Sequence, residues 1–305
     1  MSLDHYEDLV TEQRNPRSRC LDKMDTVQLL KVINDEDKTV AYAVADAIPQ
    51  IAEAVDVIVD RLKKGGRVLY AGAGTSGRLG ILDAAECPPT FGVDPGLICA
   101  LIAGGRDAVF QAVEECEDDE ALGYSDVAAR VMPDYVVVGI SASGVTPYMR
   151  GALRAARAAD AATIAIVCTN VGDLDFDVDI VIPVITGPEV LTGSTRMKAG
   201  TAQKLVLNMI STASMVKLGK VYDNLMVDLS ATNRKLRNRA IRIISMATGL
   251  DLSESAQLFE ESGENVKVAL VMSLAGVPQE SALRALEQAS GYVRRATDLA
   301  KTWSA

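Results

Sequence analysis

Three short stretches of this chain concentrate glycine and hydroxyl side chains where a helix is about to begin. The first is Gly72-Ala-Gly-Thr-Ser-Gly77 and the second Gly139-Ile-Ser-Ala-Ser-Gly144; each follows an apolar run and closes on Ser-Gly. The third, GPEVLTGSTRMKAG at 187–200, carries Ser194, Thr195, Arg196 and Lys198. The first N–H groups of a helix are unpaired and lie at the positive end of its dipole, so such loops suit an anion, phosphate above all. Serine and threonine hydroxyls add further donors. The candidate binding residues are therefore Thr75, Ser76, Gly77, Arg78, Ser141, Ser143, Gly144, Thr146, Ser194, Thr195 and Lys198. One glycine-rich turn by itself reads equally well as structural. Two of them at the carboxyl ends of parallel strands favour a phosphate site. Arg196 alone reads as a solvated first turn. The first loop also satisfies G-x-G-x-x-G, but the second apolar run ends in Ala103-Gly-Gly-Arg106 rather than in the acid that holds a ribose. No nicotinamide cofactor is expected.

Acid–base chemistry is bounded by histidine, of which there is one, His5, in a polar N-terminal stretch. His5 reads as a surface residue, so proton transfer falls to carboxylates, Lys, Tyr or Cys. Glu86 stands in Asp83-Ala-Ala-Glu-Cys-Pro-Pro, where the proline pair stops a helix. An acid at a helix C-terminus opposes the dipole, a local rule of the kind functional sites break. Glu117 lies in the run Glu114-Glu-Cys-Glu-Asp-Asp-Glu120. On physics alone that run is a solvated face from which no member stands out.

The elements that must carry these residues follow from apolar spacing. Residues 25–64 repeat apolar side chains every three or four positions and end in Gly65-Gly66, a helical pattern. Five apolar runs come next: Arg67–Ala71, Leu97–Ala103, Tyr135–Ile140, Thr163–Cys168 and Ile180–Ile185. Near-continuous apolar strands alternating with helices predict an α/β fold, a five-stranded, mostly parallel sheet covered by helices on both faces. Pro183 assigns the last run to an edge. Beyond Thr195 one long helix is expected to about Gly219, then a helix with a basic exposed face. Three helical segments follow as a small C-terminal domain, giving boundaries of 1–244 and 245–305.

An apolar fraction of 49% with 24% charged residues excludes a disordered chain. A net charge of −10 without a basic block makes nucleic acid an unexpected partner. No apolar run reaches the ~20 residues that span a bilayer, and the N-terminus lacks a signal-peptide core, so no membrane partner is expected. The five cysteines are odd in number and never C-x-x-C, so neither a disulfide framework nor a zinc site is expected and a reducing cytoplasm fits.

Four strings carry a resemblance: LVTEQRNPRS with INDEDKTV, GAGTSGRLGILDAAECPPTFG, GPEVLTGSTRMKAGTAQKLVLNM, and NLMVD. They closely resemble the N-acetylmuramic acid 6-phosphate etherases, a family of the sugar isomerase (SIS) fold, over nearly the whole chain. The resemblance implies a cytoplasmic homodimer without metal or other cofactor, acting on a phosphosugar in cell-wall sugar recycling or catabolism. It would cleave the D-lactyl ether to give N-acetylglucosamine 6-phosphate and D-lactate. It also puts the two catalytic glutamates on Glu86 and Glu117, Glu86 as the acid serving the lactyl oxygen. The chain departs from the family at Val145, where an arginine is common, and at Asp223, where glycine is common. An aldose–ketose phosphosugar isomerase and a non-catalytic phosphosugar-binding regulator are the alternatives on the same fold.

Overall fold

A computed structural model describes residues 9–113, 115–174, 176–229 and 234–303, so His5 and Glu114 lie outside the described residues. The chain divides into two compact units: residues up to Ala85 with Pro95–Ser211, and Glu86–Asp94 with Thr212 onward. The second unit thus takes in residues from 212, ahead of the boundary at 245 expected from the sequence.

The first unit opens with three helices: α1 (Thr26–Asp37), α2 (Val40–Asp46) and α3 (Ile48–Lys63). Asp25 and Gln28 form a reciprocal capping box that starts α1. α3 buries one stripe, Ile51, Ala54, Val55, Ile58, Val59 and Leu62, as its three-to-four spacing requires. The sheet follows: β1 (Val68–Gly72), β2 (Ile98–Ile102), β3 (Val136–Ser141), β4 (Ala162–Val167) and β5 (Ile180–Pro183), all parallel, in the order β2-β1-β3-β4-β5. β1, β3 and β4 are buried along their whole length, which is why they read as continuous apolar runs. β5 lies at an edge, where Pro183 has no ladder hydrogen bond to lose on its outer side.

Helices α4 (Gly74–Phe91), α5 (Glu120–Ala128), α6 (Pro147–Ala158) and α7 (Lys198–Lys217) are interleaved with and follow the strands. α6 lays Met149, Ala152, Leu153 and Ala156 on Leu69, Ala71, Val137 and Ala165 of the sheet. Burial of each such Leu or Met side chain contributes about 1.5–3 kcal/mol. Tyr70 on β1 donates to Asp83 on α4 at 3.0 Å, and Asn208 and Ser211 on α7 donate to the same carboxylate at 2.7 and 3.0 Å. Burial nonetheless raises the Asp83 pKa. Because β1 and β3 are neighbours, the chain leaves them toward opposite sides, and the gap at their carboxyl ends is where such sheets bind ligands.

The second unit contains a short hairpin, β6 (Val221–Tyr222) and β7 (Leu225–Met226), then α8 (Arg234–Thr248), α9 (Leu252–Glu261), α10 (Val266–Ala275), α11 (Gln279–Gln288) and α12 (Val293–Trp303). Ile244, Phe259, Leu270, Ala285 and Ala296 meet in its core. The stretch 279–300 reads as one segment in the sequence but is two helices, parted where Ser290 and Gly291 both take positive φ. Asp223 turns the hairpin at φ +53°, a conformation that glycine adopts freely and aspartate tolerates. Among the described residues no helix is long and apolar enough to cross a membrane.

Candidate active site

A cleft of about 240 Å³ opens at the carboxyl ends of β1 and β3. Thr75, Ser76, Ser141, Ser143, Thr146, Thr195 and Glu117 line it, so the structure gathers six of the eleven candidate binding residues with one candidate acid. Glu12, Asp118 and Val145 also line it. Among the described residues none that lines it is lysine or arginine, so an anion here meets hydroxyl and N–H donors rather than a cation.

The first loop is tighter than its sequence implies. α4 begins at Gly74, which puts Thr75, Ser76 and Gly77 within the first helical turn. Ser76 donates to Gln203 Oε1 at 2.9 Å, while Nε2 of Gln203, buried, has no partner among the described residues. A half-turn of that amide lets Nε2 donate to Ser76 and frees the hydroxyl proton for an anion. Gly77 serves packing: a Cβ there would meet Gly72 O and Ile102 Cγ1 at 2.6 Å. Only glycine lets the helix approach the strand this closely.

The second loop is a network of hydroxyls. Ser141 Oγ lies 2.7 Å from Thr146 Oγ1 and 3.5 Å from Ser143 Oγ, and it accepts from the Gly144 N–H at 3.0 Å. The Thr146 side chain therefore does not cap α6, whose first turn stays open toward the cleft. Gly144 is the hinge of this turn rather than a wall. Its φ is +78°, and a Cβ would meet Leu174 Cδ2 at 2.6 Å. Val145 puts a buried apolar side chain beside these hydroxyls.

At the third stretch only Thr195 lines the cleft. Glu189 accepts from the backbone N–H of Lys198 at 3.0 Å and of Ala199 at 2.9 Å, so the N-terminus of α7 already holds an anion from its own chain. Ser194 lies off the cleft and takes part in a backbone turn with Leu191. Lys198 is 1% exposed, and its ammonium donates to Glu36 Oε2 and to the Thr186 carbonyl, both at 2.8 Å. The basic side chain expected to meet an anionic ligand is spent on a buried ion pair. Burial raises the Glu36 pKa, but hydrogen bonds from Lys198 and Asn15 and the charge of Arg17 outweigh it and hold the carboxyl below its ordinary range.

Arg78 lies in an adjoining recess of about 350 Å³ that shares Ala73, Gly74, Glu117 and Asp118 with the cleft. Its guanidinium donates to the carbonyls of Val109 and Gln111, each at 3.0 Å. Arg78 thus fastens the segment after β2 to α4, upstream of Glu117. Glu117 and Asp118 sit in a single 3₁₀ turn, Cys116–Asp118, preceded by Glu115 at φ +70°. Both acids are exposed, and both border the cleft.

Glu86 is exposed on α4 and is not among the residues that line the cleft; it does not end the helix, which runs on through Pro88 and Pro89 to Phe91. Among the described residues no cluster of three or more His, Cys, Asp or Glu side chains is arranged to hold a metal. The residues that sequence reasoning missed, Glu12 and Asp118, carried little local signal. Glu12 stands in a polar N-terminal string, and Asp118 is one acid among several.

Residues 50–157 match the family model described as the glucokinase regulatory protein N-terminal SIS domain. The N-acetylmuramic acid 6-phosphate etherase of Caldanaerobacter subterraneus subsp. tengcongensis is 54% identical over 294 residues, covering 96% of each chain. That of Pectobacterium atrosepticum is 53% identical over 289 residues, covering 94% of this chain and 95% of that protein. Among solved structures, a phosphoheptose isomerase from Francisella tularensis is similar over 63% of this chain and 100% of its own, at 20% identity and a TM-score of 0.49.

Proposed function

The chain belongs to the N-acetylmuramic acid 6-phosphate etherases, and we propose that it cleaves the D-lactyl ether of that sugar phosphate to N-acetylglucosamine 6-phosphate and D-lactate. The observation that carries this reading beyond the relatives is the cleft, where three hydroxyl-bearing segments converge beside an acid, Glu117. The 6-phosphate is held by Thr75, Ser76, Ser141, Ser143, Thr146 and Thr195, and the sugar extends toward Glu117.

The chemistry runs on the open-chain aldehyde. A base takes the C2 proton, which the C1 carbonyl acidifies, and the electron pair moves into the enolate. It returns to expel the lactyl oxygen from C3, and an acid protonates that oxygen as lactate leaves. Water then adds across the C2–C3 double bond, hydroxyl to C3 and proton to C2. Two carboxylates suffice when one is ionised and the other protonated. Glu117 serves as the C2 base and Glu86 as the acid for the lactyl oxygen.

In the two-fold dimer that the family resemblance implies, Glu86 would complete the cleft of a second copy. Exposed apolar side chains on α1–α3, Val27, Leu30, Tyr42 and Ile48, support the same association. Five free thiols fit work in the reducing cytoplasm.

The test is release of D-lactate from N-acetylmuramic acid 6-phosphate, which neither an isomerase nor a binding regulator would produce. Glu117→Gln should lose about 10²–10⁴-fold of lactate release together with exchange of the C2 hydrogen in deuterated water. Glu86→Gln should keep the exchange and lose the lactate. Mixing the two inactive variants should restore part of the activity if Glu86 acts on the partner copy. Near-normal lactate release from both variants puts the site elsewhere.

A further inference from the structure

Glu12 is a carboxylate in the cleft to which the reaction above gives no task. It ends a 3₁₀ turn, Val10–Glu12, in the string LVTEQRNPRS, which is anchored by its buried members Leu9, Thr11, Asn15 and Ser18. Leu9, Thr11 and Asn15 are buried, at 3%, 2% and 4% exposure, whereas Glu12 is exposed on the cleft. Asn15 donates to Glu36 at 2.7 Å and to the Pro188 carbonyl at 3.1 Å. Arg17 pairs with the other Glu36 oxygen at 2.6 Å. Since Glu36 also holds Lys198, one buried carboxylate ties the N-terminal segment to α1 and to the stretch that carries Thr195. Glu12 sits against that stretch: its Oε2 is 3.2 Å from where a Cβ on Gly193 would stand. The Thr11 hydroxyl donates to Oε1 at 3.3 Å, and no salt bridge to Glu12 is found among the described residues.

An ionised carboxylate only accepts hydrogen bonds. Beside a phosphate it repels, and among the described residues lining the cleft no cation offsets that. What it can recognise is the part of the ligand that offers donors. We propose that Glu12 is a sugar-binding residue of the cleft, accepting from a hydroxyl or the acetamido N–H of the phosphosugar, held in place by the Asn15–Arg17–Glu36–Lys198 cluster. This rests on the function proposed above and adds a selectivity to it. The hydroxyl loops recognise any phosphate, and Glu12 recognises the sugar attached to it.

The experiment titrates wild-type protein, Glu12→Ala and Glu12→Gln with two probes, N-acetylglucosamine 6-phosphate and inorganic phosphate. Loss of a hydrogen bond to a charged acceptor should weaken the sugar phosphate by about 10- to 100-fold in Glu12→Ala. Glu12→Gln should lose less, because its amide oxygen still accepts. Inorganic phosphate should bind both variants as well as or better than wild type, and the thermal midpoints should hold. Tighter binding of both probes would reduce Glu12 to a source of repulsion and overturn the proposal, as would unchanged affinity for both. Failure of the underlying function looks different: wild-type protein would then release no lactate and bind no N-acetylglucosamine 6-phosphate.

Discussion

Replacing Lys198 by methionine separates two roles that one lysine beside a phosphate loop can play. Its ammonium is buried and holds Glu36 Oε2 at 2.8 Å, with both side chains 2% exposed. Removing one partner of a buried pair costs about 3–5 kcal/mol, mostly because the other charge is left uncompensated. Here Glu36 keeps Asn15 and an Arg17 whose own side chain is 64% exposed, so the loss belongs at the lower end, about 3 kcal/mol. With a urea slope of about 3 kcal/mol per molar, the midpoint falls by about 1 M. A second change, Glu36→Gln, removes the stranded charge, so the double variant should be more stable than the sum of the two single losses predicts. Urea melts followed by far-UV circular dichroism measure this. KM for the sugar phosphate, taken at low temperature where Lys198→Met stays folded, should be close to wild type. A variant that melts like wild type but raises KM tens-fold would make Lys198 a ligand-binding cation and refute the reasoning.

The same cluster sets a pH dependence. The Glu36 carboxyl is held below its ordinary value of 4.5 in the folded protein, so its contribution is complete above that value and is lost as pH falls through the folded one. The stability advantage of wild type over Glu36→Gln should therefore be constant near neutrality and shrink below about pH 4.5; an advantage that grows on acidification contradicts the ion pair. Arg78→Met releases the Val109 and Gln111 carbonyls and with them the segment that leads to Glu117. It should lower kcat well over 10-fold, yet leave the affinity for N-acetylglucosamine 6-phosphate within a few-fold of wild type. Full turnover would show that this clamp is dispensable.

Local residue chemistry was enough for much of this molecule. The five strands of the sheet, its Pro183 edge and the long helices were legible because buried parallel strands must be apolar throughout and covering helices must repeat every three to four residues. The two Ser-Gly loops were legible because they combine glycine at a strand's carboxyl end with hydroxyls at a helix start, and their residues Thr75, Ser76, Ser141, Ser143 and Thr146 share one cleft. Sequence alone could not say which charged side chains face that cleft. Lys198 and Arg78 stand in the same strings as true lining residues, but one is neutralised by Glu36, a residue 162 positions away, and the other turns to carbonyls more than thirty positions on. Glu12 had no local mark, because what brings it to the cleft is a buried cluster joining three distant segments. The acidic run 114–120 had too many marks, and only the fold shows that Glu117 and Asp118, in the turn after the left-handed Glu115, border the cleft. Spacing along the chain determines helices, strands and turns, whose periodicities are local. The destination of a long charged side chain depends on the partners the folded chain brings within about 3 Å, and only the tertiary structure decides those.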